Sequence, residues 1–271
     1  MANRSYISIA DIKDSLGITS STDDILLRKI AEAGTTLIER YTDRKFHVER
    51  ATRYFTGANR LWVTDVLSVS TMKLDEDANA SFEATLTTSD YVLFPLNEYP
   101  KTCIEPTEYG DYGTFAFGVK RGVEIVGEWG YGDGETASAT SLQSKLSTAS
   151  INSTATSIGV VSDNLAAGQT WLMDSEQIYA NYITGSTARV VRGVNGTTAA
   201  IHQPSADINV YQYPSDIWQA CLNLAVEEYQ QREKKGITSE RLGDYSYTLD
   251  KGAVNSILQD SIPVFYRRLR F

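Results

Sequence analysis

Apolar residues recur at helical spacing near both ends of the chain. In the first long segment of this kind, the apolar positions are three or four residues apart: Leu26, Ile30, Ala33, Leu37 and Tyr41. This spacing places them on one face of an α-helix. Because each buried Leu or Ile contributes roughly 1.5–3 kcal/mol, the stripe must pack against another part of the protein. The pattern therefore predicts a helix over residues 22–45.

A shorter helix is predicted before this one. Ser8 and Asp11 have the spacing of a capping box, in which each side chain accepts a hydrogen bond from the other residue's free backbone N–H. Gly17 is suited to the left-handed conformation that ends many helices. We expect the short helix to end there.

Two further helices are predicted late in the chain. The first begins at Pro214 and runs to about Lys235, and it carries two apolar stripes, Ile217, Cys221, Leu224 and Ala225 on one face and Trp218, Leu222, Val226 and Tyr229 on another. A helix that is apolar on two faces lies between neighbours, either in its own core or at a contact between subunits. The last helix covers residues 253–268, and Pro263 should kink or interrupt it.

Between the helical ends, the pattern changes to short β-branched and aromatic runs separated by turn formers. In residues 48–129 these runs are Arg53–Phe55, Arg60–Val63, Val66–Val69, Thr71–Leu74, Tyr91–Phe94 and Val123–Val126. Residues 75–80 are interpreted as an acidic hairpin tip. Five more strands are predicted in a segment rich in Ser and Thr, at residues 157–161, 169–173, 176–183, 188–192 and 207–211. Before them, residues 135–157 form either a linker or a short helix around 142–146.

These patterns predict an α+β protein. Residues 1–135 and 213–271 are expected to form one domain, a helical bundle with a β-sheet or hairpin section. Residues 136–212 are expected to interrupt it as a small all-β insertion, similar to a sandwich or barrel.

Charge narrows the range of partners. Lys and Arg total 25 and Asp and Glu total 34, so the net charge is 25 − 34 = −9. An acidic surface repels phosphate, which argues against reading DNA with a broad basic face but not against a smooth channel for DNA. The sequence shows no signal-peptide pattern and no apolar run of about 18 residues. We therefore expect a soluble protein of a reducing cytoplasm, with no membrane partner.

Catalytic and metal-binding patterns are not recognisable in the sequence. His47 and His202 are the only histidines, and each is interpreted as structural or solvent-exposed. The acidic residues 75–77 lack the order of a calcium-binding loop, and the Gly-rich residues 130–134 lack the Lys of a phosphate-binding loop. We expect no enzyme activity, no cofactor and no metal.

Two small basic features remain. One surrounds the end of the second helix, with Arg40, Arg44, Lys45, Arg50 and Arg53; the other is the C-terminal segment, with Phe265, Tyr266, Arg267, Arg268, Arg270 and Phe271. Basic residues near helix ends complement the helix dipole and aid solubility. The alternative is docking onto an acidic partner through the aromatic–Arg tail, since such residues dominate interface energies.

Several short sequence segments together resemble the tailed-phage head–tail connector family, also called adaptor or head-completion proteins. The segments are Asp24–Leu27, Ile38–Phe46, Arg53–Gly57, Leu67–Val69, Val126–Gly132, Pro214–Ile217 with Ala220 and Ala225, Ser239–Tyr247 and Tyr266–Arg268. In the predicted insertion, Val190–Thr197 with Ala200 and His202 resembles a small β-module of other phage structural proteins.

The resemblance implies a ring of this chain at the phage neck, with twelve subunits to match the portal. Its expected partners are the portal protein, a downstream stopper or tail-completion protein, and DNA that passes through without sequence-specific binding. It implies a place in the virion, after assembly in the host cytoplasm. The subunit or portal interface is expected in Trp218, Leu222, Val226, Tyr229 and the C-terminal residues named above. The alternative function is binding to carbohydrate or a host surface through the inserted β-domain.

Overall fold

The structure is a computed structural model that describes residues 4–147, 149–161, 164–232, 239–242, 245–248 and 253–268. The expected helical bundle with a small β insertion is wrong. The described residues are mostly β, with two antiparallel sheets of six strands each and only 23% of residues in short helices. The four helices carry strong periodic signals, whereas the strands are short or irregular, and this difference misled the prediction.

The first sheet has the strand order β1-β6-β2-β5-β4, with β3 paired to the end of β2. Its strands are β1 (Glu49–Phe55), β2 (Leu61–Leu74), β3 (Ala84–Leu86), β4 (Tyr91–Phe94), β5 (Lys101–Pro106) and β6 (Val123–Trp129). Residues 75–80 connect β2 to β3, so the expected hairpin tip is confirmed. Alternation along β6 places Val123, Ile125 and Trp129 in the core of this sheet.

One long strand replaces three short strands that the sequence predicted. β2 runs for 14 residues and pairs with β3, β5 and β6. Asp65 resembles a turn residue in sequence, and its backbone does have a positive φ of 25°. The pairing shifts register around this position and continues, so the result is an irregularity in one strand rather than a turn between two.

The second sheet draws all six of its strands from the Ser- and Thr-rich segment. The order is β7-β12-β9-β10-β11-β8, with β7 (Thr140–Lys145), β8 (Ser157–Gly159), β9 (Thr170–Met173), β10 (Glu176–Thr184), β11 (Thr187–Val191) and β12 (Asp207–Tyr211). The five expected strands are confirmed. The expected linker or short helix around 142–146 is wrong, because this segment pairs with β12 as β7. The division of the chain into two domains stays a prediction.

The helices form a separate layer with its own core. They are α1 (Ile9–Leu16), α2 (Asp24–Thr42), α3 (Ser215–Gln231) and α4 (Ala253–Ser261). The capping box of Ser8 and Asp11 and the left-handed Gly17 are confirmed at the two ends of α1. Buried side chains from all four helices meet in one cluster, which also contains Tyr6 and Phe46. The predicted extension of α3 to Lys235 lies outside the described residues, as does part of the segment Ser239–Tyr247.

The second sheet packs directly on the rest of the molecule. Val48 and Leu67 share a small buried cluster with Ala139 and Tyr211. The amide of Gln177, which is buried, donates to the Val48 carbonyl at 3.1 Å. Such contacts hold the two sheets in a fixed relation. A short hairpin, β13 (Ser239–Leu242) and β14 (Tyr245–Thr248), completes the described elements.

Candidate functional site

The C-terminal segment folds back onto the end of α2. Pro263 interrupts the last helix as expected, and a 3₁₀ turn, Val264–Tyr266, follows it. The Arg268 N–H then donates to the carbonyl of Thr42 at 2.9 Å. Tyr266 is buried, with its ring 5.5 Å from that of Phe46 and 5.3 Å from that of Tyr131. The segment is therefore part of the fold, held by an aromatic cluster and a backbone hydrogen bond.

A buried carboxylate joins the two basic features that the sequence showed separately. One oxygen of Asp65 lies 2.6 Å from Arg44 at the end of α2, and the other lies 2.6 Å from Arg268 of the C-terminal segment. The side chain of Asp65 is almost fully buried, and charge-assisted hydrogen bonds of this length are strong. Sequence reasoning missed Asp65. The available signal was a lone acidic residue inside a run of apolar strand residues.

These contacts form the floor of a groove between the first sheet and the 3₁₀ turn, which we call the aromatic–arginine groove. It has a volume of about 690 Å³ and is lined by Arg44, Trp62, Val63, Asp65, Thr102, Val264, Phe265, Arg267 and Arg268. Three Arg and one Asp give the lining a formal charge of 3 − 1 = +2. The whole chain has a charge of −9, so the groove is a cationic region on an acidic protein.

Two aromatic side chains of the groove face solvent. Trp62 is 69% exposed and Phe265 is 66% exposed. The guanidinium of Arg60 lies 5.6 Å from the Trp62 ring, and that of Arg267 lies 4.9 Å from the Tyr41 ring. Trp and Arg are the residues that contribute most to protein–protein binding energy. The groove therefore has the composition of a protein-docking surface.

A second pocket, of about 430 Å³, lies behind Arg44 and Asp65. Its other cations include Lys45 and Arg53, and both pair with Glu49, at 2.7 and 2.6 Å. Hydrogen bonds from His47 first, and then from Lys45 and Arg53, lower the pKa of Glu49 well below its ordinary value despite its partial burial. By the same count of lining residues, this pocket has a formal charge of 5 − 3 = +2, equal to that of the groove, but its lining contains neither Trp62 nor Phe265. The exposed aromatic side chains therefore distinguish the aromatic–arginine groove from this pocket.

A comparison with protein-family models finds no match, and a search of curated proteins also finds none. A hypothesis about function therefore depends on the geometry of the residues and on the sequence resemblance described above. Among the described residues, no helix combines the length and the apolar character that crossing a membrane requires.

The four residues of α3 that were expected at an interface lie against the chain's own core. Leu222 is buried, and Trp218, Val226 and Tyr229 are half-buried beside the same helical cluster. Of the C-terminal residues, Phe265 and Arg267 are exposed, while Tyr266 is buried. Arg270 and Phe271 lie outside the described residues. An interface role for these residues stays a prediction.

Both histidines are buried beside carboxylates. The Nδ1 of His47 lies 3.1 Å from Glu39, and the two ring nitrogens of His202 lie 2.7 Å from Asp174 and 2.8 Å from Glu176. No Ser, Thr or Cys nucleophile is hydrogen-bonded to either ring in the part of the chain that the structure describes. The arrangement supports a structural role for both histidines.

Glu176 is the centre of the network around His202. Arg192 binds both of its oxygens at 2.7 Å, and the N–H groups of Gly193 and Ala200 donate to it at 2.9 Å. Burial alone would raise the pKa of Glu176, but these hydrogen bonds outweigh it and bring the pKa to about 2. Residues 190–202 therefore fold around one buried carboxylate, which sequence reasoning did not identify.

The acidic tip between β2 and β3 carries a small carboxylate cluster. Oxygens of Asp75, Asp77 and Glu83 lie within 4.8 Å of one another. Asp75 also accepts hydrogen bonds from the N–H groups of Asn79 and Ala80, at 3.1 and 2.9 Å. These hydrogen bonds indicate that Asp75 stabilises the turn between β2 and β3.

Proposed function

We propose that this chain is a structural subunit of a tailed-phage neck, where it forms a ring between the portal of the DNA-filled head and the tail. The observation that carries the proposal is the aromatic–arginine groove, a docking surface built by the same C-terminal segment that resembles connector proteins. Trp62 and Phe265 expose apolar surface there that a partner would cover. The buried carboxylates Asp65 and Glu176 are engaged in structural ion pairs, which favours assembly over catalysis.

The proposal includes the partners that the resemblance implies. They are further copies of this chain, twelve to match the portal, the portal protein itself, a downstream stopper or tail-completion protein, and DNA within the ring. The net charge of −9 supports a channel that releases DNA, because acidic walls repel phosphate. The protein would be located at the neck of the virion, after assembly in the host cytoplasm.

The direct test is association with portal-bearing heads. Purified protein is mixed with tail-less heads and examined by negative-stain microscopy, with native mass spectrometry of the free protein beside it. We expect ring-shaped density beneath the portal. The double variant Trp62→Ala and Phe265→Ala should lose this density, whereas Leu142→Ala, which truncates a comparably exposed side chain on the second sheet, should retain it.

A chain that stays monomeric and never associates with heads would contradict the proposal. Binding on a glycan array would instead favour the alternative, a surface-binding protein that works through the second sheet.

A further inference from the structure

We infer that the aromatic–arginine groove of one subunit receives the loop of residues 107–112 from a second copy of the chain, with Tyr109 seated between Trp62 and Phe265. The inference rests on the proposed ring, and it names the contact that would join neighbouring subunits.

Tyr109 is held in solvent by the shape of its loop. Its side chain is 93% exposed, which is the highest value among the large apolar side chains of the described residues. The loop is anchored on Asp90, whose carbonyl accepts from the Thr107 N–H at 3.0 Å and whose side chain accepts from the Asp111 N–H at 3.1 Å. Gly110 allows this close approach, because a Cβ there would lie 2.7 Å from the Asp90 Cα. A pre-organised loop loses little entropy on docking.

The loop and the groove are complementary in charge. Glu108 and Asp111 flank Tyr109 and are both exposed, so the loop carries a formal charge of −2 against the +2 of the groove. Opposite charges around an aromatic contact steer association and fix its register. An aromatic ring seated between Trp62 and Phe265 would remove all three apolar side chains from water.

The acidic tip between β2 and β3 fits the groove less well. Its aromatic residue, Phe82, is half-buried and packs 5.9 Å from the Tyr54 ring. Lys120 and Arg121 line the same pocket as the tip and reduce its negative charge. The loop of residues 107–112 is therefore the better complement of these two acidic segments.

The loop cannot enter the groove of its own subunit. Thr102 lines the groove, and β5 continues from there to Pro106, where it pairs with Tyr91. Four residues of extended strand separate the two points by about 13 Å, at about 3.3 Å per residue. The anchor on Asp90 keeps the loop at the far end of β5. If this loop fills the groove, it must therefore come from another copy, and a contact between two different surfaces repeats head to tail, as a closed ring requires.

A cysteine pair tests the contact. The double variant Tyr109→Cys and Phe265→Cys is oxidised under mild conditions, and the two native cysteines, Cys103 and Cys221, are buried and give little background. We expect a ladder of disulfide-linked oligomers on a non-reducing gel that ends at the closed ring. The matched control, Leu142→Cys with Phe265→Cys, should remain monomeric.

Mixing the single variants tests the direction of the contact. Tyr109→Cys mixed with Phe265→Cys should give linked dimers and nothing larger, because each chain then carries one accessible cysteine and can form only one disulfide. Tyr109→Cys alone should give none. Dimers of that single variant would indicate a symmetric contact and would overturn the inference.

A charge exchange separates docking from simple misfolding. Arg267→Glu, or Glu108→Lys together with Asp111→Lys, should each weaken self-association by about tenfold. In a mixture, the groove of the Arg267→Glu subunit meets the loop of the Glu108→Lys and Asp111→Lys subunit, and the two charges are again opposite. We expect this contact to recover part of the lost affinity. Variants that were only destabilised would show no recovery. Equal losses without recovery would count against the contact.

The outcomes distinguish this inference from the proposed function. If rings form on heads but no disulfide links residues 109 and 265, the proposed contact is wrong and the proposed function as a ring subunit is still supported. A link without any association with heads supports the contact and contradicts the neck function. Neither links nor rings would contradict both.

Discussion

At the residue scale, the buried carboxylate of Glu176 should matter most for stability, and its partners lie 16 and 26 residues further along the chain. The Glu176 side chain is fully buried, and Arg192 and His202 both bind it. Breaking a buried ion pair leaves an uncompensated charge or donor, which is strongly destabilising. An exposed pair in the same sheet, Lys145 with Asp207, has more than half of each side chain in water and should contribute little.

We expect Glu176→Gln to lower the free energy of unfolding by about 3–5 kcal/mol, because Arg192 would stay buried without its counter-charge. Urea titration followed by tryptophan fluorescence measures the change. Lys145→Ala is the control and should change the same quantity by less than about 1 kcal/mol. Equal effects of the two substitutions would show that the network around Glu176 is not specially stabilising.

Acid should destabilise the protein through the same residue. The pKa of Glu176 falls from 4.5 to about 2 on folding, so its ionised form favours the folded state. That contribution is present above about pH 4.5 and is lost as the pH falls towards 2. Unfolding midpoints measured across this window should drop steeply for the native chain. They should drop less steeply for Glu176→Gln; an identical slope would assign the acid sensitivity to other groups.

Local signals at this scale were readable from sequence, and distant ones were not. The capping box of Ser8 and Asp11 involves neighbours, so spacing alone revealed it. Asp65 acquires its role only when Arg44 and Arg268 meet on it, and those residues lie 21 and 203 positions away. The aromatic–Arg tail was singled out from the sequence as a candidate interface, but Trp62 was interpreted as an ordinary strand residue.

At the scale of elements, the turn that follows β11 makes one of the contacts between the second sheet and the first. The Asn195 carbonyl accepts a hydrogen bond from the N–H of Arg50 in β1 at 2.9 Å. Next to it, Gly196 has a φ of +79° and lies so close to the Arg50 carbonyl that a Cβ would collide with it. Gly185, in the turn between β10 and β11, also has a positive φ of +54° but has open space around it.

We expect Gly196→Ala to destabilise the protein more than Gly185→Ala. Both substitutions incur the left-handed penalty of about 1–2 kcal/mol, but only the first also pushes the turn away from β1. The thermal midpoints of the two variants provide the comparison. Hydrogen exchange at Arg50 should rise in the first variant alone. Similar thermal midpoints for both variants would show that the close approach of Gly196 to β1 causes no additional destabilisation.

Strand boundaries show where element prediction fails. The sequence predicted separate strands on either side of Asp65, yet pairing with β5 and β6 carries β2 through it. The segment that became β7 has little apolar character, and its exposed Leu142 gives no alternation. Its strand conformation comes from hydrogen bonds to β12. Pairing partners that lie far away in sequence therefore decided both cases.

At the scale of the whole molecule, the second sheet is a packed part of the structure. The N–H of Ile9, at the start of α1, donates to the Ala167 carbonyl at 2.8 Å, and the Tyr179 hydroxyl lies 3.1 Å from Glu32 on α2. Val48 and Leu67 are covered by residues that flank or belong to this sheet. The fold class was misjudged partly because these connections cannot be read from a local pattern.

Deleting residues 136–212 should therefore damage the remaining chain. We expect a thermal midpoint lower by about 2–4 °C for each kcal/mol of lost packing, together with binding of a hydrophobic dye to the uncovered Val48 and Leu67. Differential scanning calorimetry and dye fluorescence measure these effects. A deletion variant with an unchanged midpoint would show that the rest of the chain is independent of the second sheet.

The position of Trp62 gives the protein a natural optical reporter. Of the four tryptophans, Trp129 and Trp171 are fully buried and Trp218 is half-buried, whereas Trp62 stands in solvent. Acrylamide should quench Trp62 far more readily than the others, so the quenchable fraction of the emission reports on a single place. Any partner that covers the groove would shield that fraction and shift its emission to shorter wavelengths, which makes assembly measurable in real time without a label.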